Sequence, residues 1–597
     1  MKKVFFCIFL LGSLLSCSLD TDNEQMAPAY TSLNSLADLR ATAANLYLQP
    51  WYEFHKRFLY LGDARANNLL QTNSNYGELN AQGTFNEALS VATVQRPWAS
   101  LYNVIAQASY IVNDYAPYCV DNAICTQEQA DAVVGEARFM RAIAYYFLAI
   151  YWHNVPIVDN PTTISSMAHT NPFEDVLYYA ILDARFAAEH LSDKPYATGR
   201  VSRIAALTLL SRLYLTLGAY AQGGHIANSQ SPAANHEAAY YYHLADSTAT
   251  CAINDAPAAG YALMEDYEEI FRVQNNNCKE VLFALQFVPQ NTTTALANDL
   301  GAGLSYRYCV VNRYGKAWST AASYDFVNLS RIRGGMSRTR GNIFLPGTTY
   351  SYLFHEMDNE NTSIDCKEHE KGQEWTVENL TSPLPIKKHV VGGPMATGGV
   401  ATHGNSGFCT PMLRLAEAYL NQSEARLLLS GNEAASSAYI LDGINTVRRR
   451  AFRMEIERGV YGEGMQWHDY TSINLDTLLH ERRLEFFCEG LSWADIVRRS
   501  FISDRDMKWA LDYNNNHLKD ITEDPVAGCY RQYKYSYKQP DDANNEVGTV
   551  KIATSGTICY RQAKESTQEN LWSMVYPPSE VALDPNLTKA PQYYEFN

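Results

Sequence analysis

The stretch from Thr126 to Trp152 reads as one long helix that is apolar over much of its circumference. Thr126 with Gln129 three residues later forms a capping box, each side chain taking an N–H of the other residue's backbone. Val134, Ala137, Phe139, Ala142, Tyr146 and Ile150 follow at helical spacing and cover more than one face. Such a helix has to be surrounded, so it predicts a central element with other helices packed about it. The sequence supplies those neighbours. Ser35 to Leu48 carries a stripe of Leu36, Leu39, Ala43 and Leu46. Pro97 reads as a helix start leading into Trp98, Leu101, Tyr102, Ile105 and Ala108, because proline in a first turn removes a donor that is unpaired anyway. Residues 172–191, 202–220 and 236–253 are further helices with Gly, Pro and Asn breaks between them. Antiparallel pairs of this length resemble tetratricopeptide units, without a clean consensus for that repeat.

From about 256 to 408 the texture changes. Short β-like runs such as Val281 to Val288 stand between Gly-, Asn-, Pro- and Thr-rich stretches, which predicts a loop-rich region. Helix returns over 412–429, stops at Gly431, and resumes over 434–450 and 475–499, with Gly490 permitting a break that lets Trp493 pack back. The expected fold class is therefore mainly α: helical pairs carrying a large loop-rich insertion and few short strands.

The N-terminus sets the compartment. Lys2 and Lys3 precede an apolar run from Val4 to Leu15, ending at Leu14-Leu15-Ser16-Cys17. Twelve helical residues span only about 18 Å, short of a hydrocarbon core of about 30 Å. The segment therefore reads as a removed lipoprotein signal, residues 1–16, with lipidation at Cys17. Residues 17–30 are polar and acidic and read as a flexible tether. The remaining divisions are 31–255, 256–408 and 409–597. The formal net charge is −16 before the two signal lysines are lost. An acidic chain is a poor nucleic-acid binder, since phosphate contacts need clustered Lys and Arg. Of twelve Cys, none stands in a CxxC. Cys119 and Cys125 are the nearest pair; a loop disulfide and two unpaired thiols are equally compatible with their spacing. Cys488, in an apolar helical run, reads as a small core residue.

Several segments carry a resemblance. Gly135-Glu-Ala-Arg-Phe-Met-Arg-Ala-Ile-Ala-Tyr-Tyr-Phe-Leu, followed by Asn154-Val-Pro-Ile-Val, resembles the signature helix of the SusD/RagB family. Gly199-Arg-Val-Ser-Arg-Ile resembles the helix that follows it. Arg414-Leu-Ala-Glu-Ala-Tyr-Leu and Ile444-Asn-Thr-Val-Arg-Arg-Arg-Ala are similar to its late helix pair. Glu481-Arg-Arg-Leu-Glu-Phe-Phe-Cys-Glu-Gly with Trp493-Ala-Asp-Ile-Val-Arg resembles its most recognisable motif, and Tyr576-Pro-Pro-Ser-Glu-Val its closing segment. The pieces occur in family order along nearly the whole mature chain. Cys488 stands where a small residue is usual, and Leu491-Ser492 where a basic one is common.

The resemblance implies a non-catalytic lipoprotein of the outer membrane, exposed at the surface, that captures a glycan and delivers it to a SusC-like TonB-dependent transporter. Capture of peptides is the alternative the same family implies, and a surface glycosidase is a more distant one. Sugar capture needs aromatic planes under the rings and amides or charged groups for the hydroxyls, offered by loops on a rigid scaffold. Two segments meet that need. One holds Asn73 and Tyr76; the other holds Tyr306, Tyr308, Asn312, Arg313, Tyr314 and Trp318. Loop packing onto helices is the competing reading of the same rings. Trp98, at helical spacing with Leu101 and Tyr102, reads as core. No HExxH, P-loop, GxGxxG or GxSxG occurs. No cofactor is expected; a structural calcium on loop carboxylates is compatible with the composition, though no EF-hand pattern is present. Glu481 and Glu485 share a helical face and could form a catalytic pair, but Arg-rich helices near cores more often hold ion-pair networks.

Replacing Cys17 by Ala is expected to release the protein from the membrane fraction while the purified protein still binds its ligand. Loss of binding in that variant would give Cys17 a role beyond anchoring.

Overall fold

The computed structural model describes residues 29–502 and 572–596 and the strands Lys534–Lys538 and Glu546–Lys551; within the first range it leaves out 72–76, 84–86, 88–89, 162–167, 289–296, 301–319, 346–348, 351–352, 354–363, 367–374, 381–385, 393–396, 403–404 and 459–466. The helices that matter here are α1 (Leu36–Asn45), α2 (Ala92–Tyr110), α3 (Gln127–Trp152), α4 (Phe173–His190), α5 (Arg203–Gln222), α6 (Ala238–Ala259), α7 (Tyr324–Arg333), α8 (Met336–Asn342), α9 (Leu415–Ser430), α10 (Ala438–Ala451), α11 (Leu475–Glu485) and α12 (Ser492–Ile502). The strands are β1 (Leu69–Gln71), β2 (Val281–Leu285), β3 (Thr320–Ala322) and β4 (Thr410–Arg414).

Helix α3 starts where its capping box places it. Thr126 Oγ1 accepts from the Gln129 N–H at 3.3 Å, and Gln129 Oε1 accepts from the Thr126 N–H at 3.0 Å. Every residue from Val133 to Trp152 except Arg138 is buried. Helices α1, α2 and α4 pack on it, α4 packs on α5, α5 on α6, and α6 on α9. Helix after helix stacks in chain order, which is the expected mainly helical scaffold. Among the described residues, α5 is the one helix long and apolar enough to cross a membrane, and 94% of its apolar window is buried inside the protein.

Bidentate arginine–carboxylate clamps cross the helix interfaces. Arg141 of α3 holds Asp183 of α4 at 2.7 and 2.8 Å. Arg212 of α5 holds Glu417 of α9 at 2.6 Å through both nitrogens. Arg498 of α12 holds Glu424 of α9 at 2.9 and 2.8 Å. The planar fork fixes angle as well as distance, so each clamp also sets how its two helices cross.

Three departures from the sequence expectation have local causes. Pro97 lies inside α2, not at its start. The proline removes one helix hydrogen bond, and burial of Val94, Trp98 and Leu101 on the core offsets the loss. Met412 to Arg414 are strand, not helix, because β4 pairs antiparallel with β2, with Val281 opposite Arg414 and Leu285 opposite Thr410. Both strands are fully buried, and a short continuous apolar run does not tell strand from helix by period. The loop-rich middle also contains α7 and α8, which polar composition concealed. Elsewhere it holds a three-stranded sheet ordered Thr349–Tyr350, Trp375–Leu380, Ile364–Cys366.

Where β4 ends, Arg414 enters a buried ionic cluster. Its guanidinium reaches Glu280 at 2.5 Å, Glu485 at 2.9 Å and Glu489 at 2.7 Å. Arg450 bridges Glu280 and Glu485. Arg338 of α8 bridges Glu481 at 2.7 Å and Glu485 at 3.2 Å. Lys388 donates to Glu489 at 2.6 Å, to the Tyr267 hydroxyl at 2.8 Å and to the Phe487 carbonyl at 2.6 Å. Burial alone would raise the Glu485 carboxyl, but Arg450, Arg414 and Arg338 outweigh it and hold it below the usual range. Arg482, on the same helix, points elsewhere: to Asp495 at 2.9 Å and Asn421 at 2.7 Å. The motif's glutamates thus pair with other elements, while its Arg482 and Arg498 share a partner, Asp495, inside it.

Arg482→Ala takes from buried Asp495 one of its two arginines, Arg498 being the other, and from Asn421 the donor to its side-chain oxygen, and is expected to cost roughly 2–3 kcal/mol. Thermal unfolding unchanged from wild type would remove this account. Glu455, wholly buried, gives one oxygen to the Met336 N–H at 2.5 Å, and burial pushes its carboxyl from 4.5 up to about 7. The folded state thus holds this proton more tightly than the unfolded chain. Its stabilisation is complete below the unfolded value and is lost as pH rises through about 7, a swing of roughly 3 kcal/mol. Glu455→Gln is expected to flatten the melting temperature between about pH 5 and 8, and an unaltered pH profile would contradict it.

Candidate functional site

Strands β1 and β3 pair antiparallel, with Leu69 opposite Ala322, Leu70 opposite Ala321 and Gln71 opposite Thr320. That register has a direct consequence for the two aromatic segments. The segment with Asn73 and Tyr76 leaves from Gln71, and the segment ending in Trp318 arrives at Thr320. Both therefore attach at the same end of one two-stranded sheet. Asn73, Tyr76, Tyr306, Tyr308, Asn312, Arg313, Tyr314 and Trp318 themselves, like Cys17, lie outside the described residues; the structure places their anchors.

The anchors are held by a compact polar base. Asn67 has a left-handed backbone, φ +61°, which turns the chain into β1. Asn68, fully buried, donates from Nδ2 to Asp63 at 2.8 Å and to the Ser492 hydroxyl at 2.7 Å, and accepts from Arg483 Nε at 2.6 Å. Its carbonyl accepts from the Ser323 N–H at 2.8 Å, just beyond β3. Asp63 accepts from the backbone N–H groups of Cys488 at 3.0 Å and Gly490 at 2.8 Å. Burial pushes its carboxyl up to about 6 despite those donors. Gly490 has φ +75°, and a Cβ on Gly62 would lie 2.2 Å from the Gly490 carbonyl oxygen, so two backbones meet here at a distance only glycine allows. Tyr151 near the end of α3 donates to that same carbonyl at 3.3 Å. The base is thus tied to the central helix.

The outer ends of the segments are pinned as well. After residue 76 the chain forms a short helix, Gly77–Gly83, and Arg65 reaches its Gln82 at 3.2 Å and Glu87 at 2.7 Å. Arg57 reaches Glu78 at 3.1 Å. Before the long segment, Asn298 bonds the Phe408 carbonyl at 2.7 Å and the Thr410 hydroxyl at 2.9 Å, and Asp299 pairs with Lys56 at 3.3 Å. On the other side, Ser323 caps α7, whose Phe326 stacks on Phe487 at 3.7 Å between centroids. Four chain ends are therefore fixed on one rigid frame.

The carboxylates nearby do not form a catalytic pair. Glu481 and Glu485 are buried and bridged by one guanidinium, and Glu485 is held as a charged carboxylate, which cannot donate a proton. Among the described residues, no group of three or more His, Cys, Asp or Glu is placed to hold a metal ion. Trp98 is core, as expected, edge-on to Trp152 at 5.2 Å. Trp51 is fully buried. The sequence reading missed Asp63 and Asn68. The consecutive asparagines Asn67 and Asn68, standing before an apolar pair, were the available signal.

Comparison with known proteins adds to this geometry. The model of the SusD family matches residues 279–593, and a second one, described as starch-binding associating with outer membrane, matches residues 19–215. A SusD-like protein of Bacteroides ovatus is 28% identical over 598 residues, covering 96% of this chain and 93% of its own. A crystal structure solved with xylogluco-oligosaccharide is 25% identical, with a TM-score of 0.70, covering 94% of this chain and 99% of that one. A laminarin-binding SusD-like protein shares the fold at 17% identity and a TM-score of 0.55, covering 81% of this chain and 94% of that one.

Asn68→Ala takes partners from Asp63, Ser492 and Arg483 together and is expected to cost roughly 2–3 kcal/mol. Backbone amide exchange at 69–71 and 320–322 should accelerate more than in α3. Protection that stays uniform across the protein would show that Asn68 does not hold the base.

Proposed function

Because this chain belongs to the SusD family, we propose that it captures an oligosaccharide or polysaccharide at the cell surface and passes it, uncleaved, to a SusC-like TonB-dependent transporter of the outer membrane. The observation that carries the reading is the shared attachment of two aromatic, amide-bearing segments at one end of the β1–β3 sheet. Tyr76, Tyr306, Tyr308, Tyr314 and Trp318 would supply ring faces, and Asn73, Asn312 and Arg313 the hydroxyl contacts. A relative of matching length was solved with xylogluco-oligosaccharide, which supports a glycan over a peptide. The family description of outer-membrane association supports the location, and the signal ending at Cys17 supplies a lipid anchor on a flexible leash.

The rigid frame suits this task. Loops whose ends are fixed lose less entropy on closing over a ligand. Stacking and hydrogen bonding need no acid–base pair, and the one near the frame is locked in ion pairs.

Calorimetry of the purified protein against neutral oligosaccharides and peptides tests the reading. Trp318→Ala is expected to weaken glycan binding by about tenfold or more with an unchanged melting temperature. Binding of peptides but no glycan would refute the glycan reading, and release of reducing ends by the purified protein would make it a glycosidase.

A further inference from the structure

Helix Ala116–Asp121 ends in a tight reversal just before α3. Ala123 takes a left-handed backbone, φ +55°, and the chain folds back so that the N–H groups of both Ile124 and Cys125 point to the Cys119 carbonyl, at 2.8 and 3.3 Å. This is a helix C-terminal motif of the Schellman kind, normally built on glycine. A β-carbon at a left-handed position is costly, yet the turn returns Cys125 over Cys119. With the Cys125 N–H 3.3 Å from the Cys119 carbonyl, the turn sets the two cysteines side by side. Cys119 is buried and Cys125 half-exposed. The next residue, Thr126, is already the cap of α3.

We propose that Cys119 and Cys125 are joined as a disulfide in the mature protein, closing the turn that leads into the central helix. The inference rests on the extracytoplasmic location proposed above, where such bonds persist. The oxidant is a disulfide donor, a small-molecule or protein disulfide. The Cys125 thiolate, the more accessible, attacks one donor sulfur and expels the first donor thiolate. The Cys119 thiolate then attacks the Cys125 sulfur of the mixed disulfide and expels the second. Two protons leave the cysteines and two electrons pass to the donor. Burial pushes both thiols up, which favours the thiol over the thiolate in the reduced pair.

The test uses the full lipoprotein, alkylated during cell lysis, fractionated, and digested without reductant. Exposed Cys251 reports that alkylation was complete. The expected result is a membrane-fraction protein whose Cys119 and Cys125 are unalkylated and whose peptide is two hydrogens lighter than the reduced form. Recovery at the membrane with both thiols alkylated would overturn the disulfide and leave the capture function standing. Recovery in the cytoplasm would overturn the function's location first. As a second readout, the Cys119→Ser, Cys125→Ser double variant is expected to melt lower than wild type and to ignore added reductant, whereas wild type falls toward it. A reductant-insensitive wild type also refutes the bond.

Discussion

The guanidinium of Arg414 is wholly buried and touches Glu280, Glu485 and Glu489 at once. An unpaired guanidinium in that position would be prohibitive, and without it each of the three carboxylates keeps only part of its compensation, from Arg450, Arg338 or Lys388. The cluster is therefore cooperative. It forms only when β4, the segment before β2, and the end of α11 arrive together, with Arg338 and Lys388 closing the remaining valences. Apolar packing would hold these elements with more tolerance. The ion cluster instead permits a single arrangement, and the frame for the aromatic loops is set on it.

From that cluster the chain runs through Phe486 and Phe487 into Cys488 and Gly490, whose N–H groups reach Asp63. The motif most characteristic of the family thus faces two ways. Its acidic residues anchor the interior, and its backbone donors hold the base from which β1 departs. The motif's role is positional: it fixes where the loops begin.

The helices were legible because their stripes, caps and stops are local. The capping box of α3 and the break at Gly490 can be read from a few adjacent residues, and both stand where the sequence put them. What escaped was non-local. Met412 to Arg414 looked helical because nothing in those residues announces that β2, far back in the chain, will pair with them. Asp63 was invisible for the same reason, and Asn68 showed only as half of an asparagine pair: their importance lies in Arg483, Ser492 and Gly490, partners that no neighbouring residue announces. The aromatic segments could be named from composition, but that their attachments share one end of a sheet is a fact of pairing, not of either segment.

Asn68 and Arg483, which meet at 2.6 Å, stand 415 positions apart in the chain. A polypeptide made from its N-terminus onward presents Asn68 early and Arg483 near the end. Through most of that interval the early aromatic segment has no floor to rest on, since long-range contacts form only after their loop is closed. The base beneath β1 and β3 is thus completed late. A chain that stopped short of Gly490 would carry both aromatic segments and still lack the base to which their points of attachment are tied.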